Sequence, residues 1–125
     1  MTDKDIRISD AELQLLQLLW EESPLGAVDI AARVPADREW SLTTVKTLLG
    51  RLAAKGAVST EGDGRRFRYR PAIDCATVTA GQAGKLVDRL FGGRVSPLVA
   101  HLAQRQRLTD EDIAEIEALL RDLKA

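Results

Sequence analysis

A single cysteine, Cys75, and a single histidine, His101, are all the 125 residues contain of these two side chains. One thiol cannot close an intrachain disulfide. Together with His101 it falls at least two ligands short of a tetrahedral metal site. A catalytic triad needs a histidine, a nucleophile and an orienting acid. His101 lies instead in a stretch rich in Leu and Val, where a structural role is the plainer reading. Glycine-rich phosphate loops and paired-carboxylate sites are also missing, so neither an enzyme nor a cofactor is expected. Aromatic residues make up only 4%. Trp20 and Trp40 are assigned to the core or its edge rather than to base stacking. No unbroken apolar run is long enough to span a bilayer, so no membrane insertion is expected. The first ten residues, MTDKDIRISD, have no apolar h-region, so no secretory signal is expected. These features favour a reducing, cytoplasmic setting, with Cys75 a buried or inert thiol rather than a redox sensor.

Acidic residues are scarce in the middle of the chain. Residues 1–37 carry three Lys/Arg against eight Asp/Glu, a net −5; residues 38–73 carry eight against three, a net +5; residues 74–125 carry seven against eight, a net −1. A basic block inside an acidic protein points to a surface that faces a polyanion.

The periodicities divide the chain in two. SDAELQLLQLLWEE reads as a helix with Ser9 as N-cap and Glu12 completing a capping box. Leu13, Leu16 and Trp20 recur on one face, and Leu15, Leu18 and Leu19 widen it. Pro24 and Gly26 break that helix. AVDIAARV is a short second helix, with Val28, Ile30, Ala31 and Val34 as its apolar side and Pro35 at its end. SLTTVKTLLGRLAAKG is a third, capped by Ser41 and stopped at Gly56. Val45, Leu48, Leu49 and Leu52 form its apolar stripe. Thr43, Lys46, Thr47 and Gly50 repeat the same spacing on the opposite side, a face without carboxylates. The period then drops to two. AVSTE and RRFRYR flank Gly62-Asp63-Gly64, predicting a two-stranded hairpin that ends at Pro71. Its arginines would lie on one face, with Phe67 and Tyr69 on the packed one. Beyond residue 73 the pattern is helical again. One helix is marked by Val78, Leu86, Val87, Leu90 and Phe91, ending at Gly92-Gly93. A second opens with Ser96 as N-cap and Pro97 at N1, with Leu98, Val99 and Leu102 apolar. A third is capped by Thr109 and Asp112, and Ile113, Ile116, Leu120 and Leu123 form a heptad-like seam.

The fold class is therefore mainly α with a small β-hairpin: a winged helix-turn-helix domain over 1–73 and a helical dimerisation domain over 74–125. The third helix fits a major groove, where Thr43, Lys46 and Thr47 can meet base edges or phosphates. Arg65, Arg66 and Arg68 of the hairpin can follow phosphates or enter the minor groove; Arg70, beside Pro71, is a weaker candidate. Leu86, Leu90, Phe91, Leu98, Leu102 and the Ile113–Leu123 seam are assigned to dimerisation. A dimer would join two weak half-site contacts into one strong one.

Several blocks carry a resemblance. ISDAE…LW, SLTTVKTLLGRLAAKGAV, RRFRYRP, LVDRLFGG and SPLVAHL look like the penicillinase-repressor family, the BlaI/MecI type, from about Ile8 to the end. The resemblance implies a homodimeric transcriptional repressor on palindromic operator DNA with TACA/TGTA half-sites. It implies induction through cleavage by a membrane-bound zinc metallopeptidase sensor. It places Thr43, Thr44, Lys46, Thr47 and Arg51 in the recognition block and Arg66 and Arg68 in the wing. The best-known family members are cut at an Asn-Phe bond in SLVLNF; the matching stretch here, PLVAHL, sets His101-Leu102 at that bond and departs from the pattern. The cysteine cluster of the copper-responsive branch has no counterpart after Cys75. Two alternatives stay open: a winged-helix regulator released by a small ligand or redox signal, and a winged-helix interaction module that does not bind DNA.

Overall fold

The computed structural model describes residues 7–62 and 66–125. Its elements run α1 (Asp10–Glu21), β1 (Leu25–Gly26), α2 (Ala27–Arg33), a 3-10 turn (Ala36–Arg38), α3 (Leu42–Ala54), β2 (Val58–Glu61), β3 (Arg68–Pro71), α4 (Cys75–Phe91), α5 (Val95–Gln104) and α6 (Asp110–Lys124). They divide into two compact units, residues 1–81 and 82–125.

In the first unit, α1 begins at the expected capping box. The Glu12 N–H donates to Ser9 Oγ at 3.1 Å, and the Ser9 N–H donates to Glu12 Oε1 at 2.9 Å, satisfying two amides that have no partner inside the helix. Leu15, Leu16 and Leu19 are fully buried against Ile30 of α2 and Val45, Leu49 and Leu52 of α3 in one cluster. Trp20 packs at its edge and donates Nε1–H to the Ile73 carbonyl at 3.1 Å. Trp40 also packs against this core, with the Arg38 guanidinium 5.4 Å above its ring.

Several expectations for this unit are corrected. The hairpin is part of a three-stranded antiparallel sheet in the order β1-β3-β2, with Leu25 opposite Tyr69 and Thr60 on that residue's other side. β1 is only two residues long, too short to leave a period in the sequence. Val28 is not on the packed side of α2: it is 66% exposed, and Ile30 alone is buried there. Two turns of helix cover only a narrow stripe of core.

α3 ends as its sequence demands. Gly56 adopts φ +79°; its N–H donates to the Ala53 carbonyl, and the Ala57 N–H donates to that of Leu52. This pair of bonds needs a left-handed residue, which glycine supplies without a Cβ penalty. The alternation on β3 holds, with Arg68 and Arg70 exposed and Tyr69 half-buried. Pro71 ends the strand as expected, opposite Val58. Phe67 precedes the strand and is 47% exposed, so it does not belong to the packed face. Asp63, Gly64 and Arg65 lie outside the described residues.

α4 opens with the Asp74 carboxylate accepting from the Thr77 N–H at 3.1 Å. Val78 is buried in the winged unit's core, so the division expected after residue 73 falls inside this unit by packing, and α4 is continuous across 81/82. In the second unit, α4 closes at Gly92 and Gly93, both with positive φ. α5 starts earlier than expected: Arg94 is its N-cap and Val95 its first residue. Pro97 thus stands in the first turn, where its missing N–H has no acceptor to lose. α6 has the expected Thr109–Asp112 capping box. No described residue of 82–125 is buried.

Candidate nucleic-acid interface

The core fixes which side of α3 faces outward. Val45, Leu49 and Leu52 are fully buried and Leu48 nearly so. Thr43, Thr44, Lys46, Thr47, Gly50 and Arg51 are consequently exposed. Ser41 Oγ caps the helix by accepting from the Thr44 N–H at 3.1 Å, and lies 3.0 Å from Thr44 Oγ1. Thr47 Oγ1 donates to the Thr43 carbonyl at 3.0 Å. These local bonds occupy part of the hydroxyls' capacity while leaving lone pairs for a ligand. A Cβ at Gly50 would meet nothing within 4 Å. The fold does not require glycine there, and its absence of a side chain leaves room for close approach. Leu42, at the first helical position, is 39% exposed and adds an apolar group the charge pattern did not single out.

The far end of α3 is tied down by an ion pair. Lys55 Nζ lies 2.5 Å from Glu12 Oε1 and donates to the Arg7 carbonyl at 2.6 Å. The Glu12 side chain is 2% exposed and that of Lys55 34%. Burial raises the Glu12 pKa and is the largest single influence. The Lys55 hydrogen bond, the Ser9 N–H, the Lys55 charge and the Ser9 hydroxyl together outweigh it and leave the carboxyl below its ordinary 4.5. One residue thus caps α1 and anchors the C-terminal end of α3. Sequence reasoning found the cap but not the pair, because the partners are 43 positions apart.

The wing arginines are not equivalent. Arg68 Nη2 stands 3.7 Å from Glu61 Oε1, and Arg70 Nε 3.4 Å from Glu61 Oε2. Both charges are partly compensated by one carboxylate. Arg66 is exposed and has no ion pair among the described residues. Arg65 lies outside them. Lys46, Arg66 and Arg68 line one cleft together with Gly26–Asp29, Phe67 and Tyr69. The structure therefore joins the central cation of α3 to the wing, which the sequence pattern left as two separate elements. Arg51 is exposed one turn further along α3 and does not line this cleft.

The residues assigned to dimerisation lie on the helices of 82–125. Leu90, Ile113, Leu120 and Leu123 are 59%, 45%, 50% and 82% exposed. Leu86, Phe91, Leu98, Leu102 and Ile116 are half-buried. His101 and Leu102 lie inside α5, with the exposed His101 ring 6.4 Å from that of Phe91. Among the described residues no group of three or more His, Cys, Asp or Glu could hold a metal, and no helix is long and apolar enough to cross a membrane.

The penicillinase-repressor family model matches residues 8–122. The chain belongs to the penicillinase-repressor family. A penicillinase repressor of Bacillus licheniformis is 29% identical over 118 residues, covering 94% of this chain and 92% of the relative. The methicillin resistance regulatory protein MecI of Mammaliicoccus sciuri is 24% identical over 120 residues, covering 96% and 98%. Among solved structures, the DNA-binding domain of the repressor BlaI superposes with a TM-score of 0.51 at 35% identity, covering 58% of this chain and 88% of that one. The family match extends through the helices of 82–125, whereas this structural match spans a little over half of the chain.

Proposed function

We propose that this protein is a homodimeric transcriptional repressor in which each winged unit reads one half of a palindromic operator. The observation that carries the reading is the exposed, acid-free face of α3, whose central cation Lys46 shares a cleft with wing residues Arg66 and Arg68. A helix in the major groove with a cationic wing on the flanking backbone is the arrangement such a surface suits. Thr43, Thr44 and Thr47 would meet base edges; Lys46, Arg51, Arg65, Arg66 and Arg68 would supply base and phosphate contacts. The names of the relatives support the same reading.

The dimer is supported by the second unit, where apolar side chains have no buried core of their own. Side chains such as Leu120 and Leu123 gain free energy by leaving water, and a second copy offers a matching surface. Release would follow cutting at His101–Leu102 by a membrane-bound zinc metallopeptidase sensor, which would detach α6 from the rest of the chain. That bond lies within a helix, so a protease needs α5 to unwind locally before it can act.

Anisotropy titration of the full chain against a duplex from upstream of its own reading frame tests the core of this reading. Saturation at two chains per palindrome, with at least a hundredfold preference over a scrambled duplex at equal salt, is the expected result. Equal affinity for both duplexes would overturn it. Mass spectrometry of the chain after co-expression with a cognate sensor tests the switch: a fragment ending at His101 supports cleavage, and an intact chain under inducing conditions refutes it.

A further inference from the structure

The cleft beside α3 has features that phosphate contacts do not call for. It measures about 660 Å³ and is walled by the start of α2, by Lys46, and by the Arg66–Tyr69 segment. Cavities of this size are typical for small organic ligands rather than for a single phosphate oxygen. Two of its residues are large, apolar and out in solvent: Val28 at 66% and Phe67 at 47% exposure. Neither is used by the core cluster. Two of its cations, Lys46 and Arg66, have no ion pair among the described residues, whereas Arg68 has Glu61. The single carboxylate of the lining is Asp29. Apolar walls with a few convergent charges describe a site for an amphiphilic molecule, and the surplus of cations sets the sign of its charge.

We propose that this cleft binds a small organic anion with an apolar body, of the aromatic or branched carboxylate class, and that its occupancy excludes operator DNA. The carboxylate would sit between Lys46 and Arg66, with the ring or alkyl body against Val28 and Phe67. The competition follows from shared chemistry, because Lys46 cannot neutralise a bound carboxylate and a groove phosphate or base edge at once. The competitive part rests on the operator-binding reading above; the binding part does not.

Two measurements on the full chain separate these parts. In the first, 2-naphthoate is titrated into labelled protein and amide shifts are followed by NMR, with 2-naphthalenemethanol as the uncharged control. Saturable shifts at Val28, Lys46 and Phe67, with at least tenfold weaker binding of the alcohol, are the expected result. Shifts spread over other surfaces, no saturation, or equal binding of the alcohol would overturn the proposal. Val28→Ala removes part of the apolar wall without touching a cation, and should weaken naphthoate roughly fivefold to tenfold while leaving operator affinity within twofold. Unchanged naphthoate affinity in this variant would place the ligand elsewhere. In the second, naphthoate is added to the protein–operator complex; the apparent operator Kd should rise in proportion to ligand once the site is half filled. Binding in the cleft without displacement would refute exclusion alone. A protein that binds naphthoate but no operator in its absence would refute the DNA reading and leave the binding site standing.

Discussion

Lys46 and Glu12 show how differently two charged residues can serve one surface. Lys46 is exposed, unpaired among the described residues and central to the acid-free face. Lys46→Ala should weaken operator binding by roughly 1–3 kcal/mol and lower the slope of log K against log salt by about one, because one fewer counterion is released. Anisotropy titrations over a range of salt concentrations read both quantities; an unchanged affinity and slope would remove α3 from the interface. Glu12 never reaches that surface. It holds Lys55 at the end of α3 from inside the fold. Its pKa is depressed in the folded state, so its contribution is fully present above the ordinary value of 4.5 and is lost as pH falls through the lower, folded value. Glu12→Gln should cost roughly 1–3 kcal/mol at pH 7, less than for a fully buried pair because Lys55 retains contact with water. Urea melts should show the gap between variant and wild type narrowing on acidification below about 4.5; a gap that stays constant to pH 3 would separate Glu12 from this role.

At the scale of elements, the wing depends on one residue without a side chain. Gly62 has φ +124°, and a Cβ there would stand 2.1 Å from the Arg66 carbonyl oxygen. Gly62→Ala must therefore shift the backbone that carries Arg66 and Phe67, at a cost of about 1–3 kcal/mol. A drop in urea midpoint together with weaker operator binding is expected; a variant that melts and binds like wild type would show that the wing relaxes freely. Gly50 makes the contrasting case, since its side of α3 is open. The elements also show where sequence signals fade. The capping boxes at Ser9–Glu12 and Thr109–Asp112 and the left-handed stop at Gly56 were legible because each is decided within about five residues. The strand Leu25–Gly26 was not, because it is held extended by pairing with Tyr69 and Arg68, far along the chain. Phe67 was misplaced by its alternation with arginines: it follows the period of β3 without being part of that strand.

For the whole molecule, the exposed apolar side chains of 82–125, Leu120 and Leu123 among them, are the surface a second copy would cover. Leu120→Asp puts a charge into the exposed seam and should convert a dimer into a folded monomer, with operator affinity reduced at least tenfold as two half-sites cease to be bound as one. Sedimentation equilibrium reads the mass and circular dichroism the fold; a dimer that survives the charge would move the interface away from α6. Residue 120 is outside the unit that carries the cleft, so the naphthoate-induced NMR shifts of this variant should match those of wild type.

Several features of the protein were written in the sequence alone: the helical and winged segments, the face that α3 turns outward, the basic middle of the chain, and the blocks that resemble the penicillinase repressors. Each depends on residues near one another in the chain, where periodicity, capping and turn chemistry act. The third strand, the pairing of Glu12 with Lys55, the partial neutralisation of Arg68 and Arg70 by Glu61, and the cleft that joins Lys46 to Arg66 were decided by tertiary structure. These are contacts between distant segments, and a sequence pattern can place each partner on a face without saying which other face it meets.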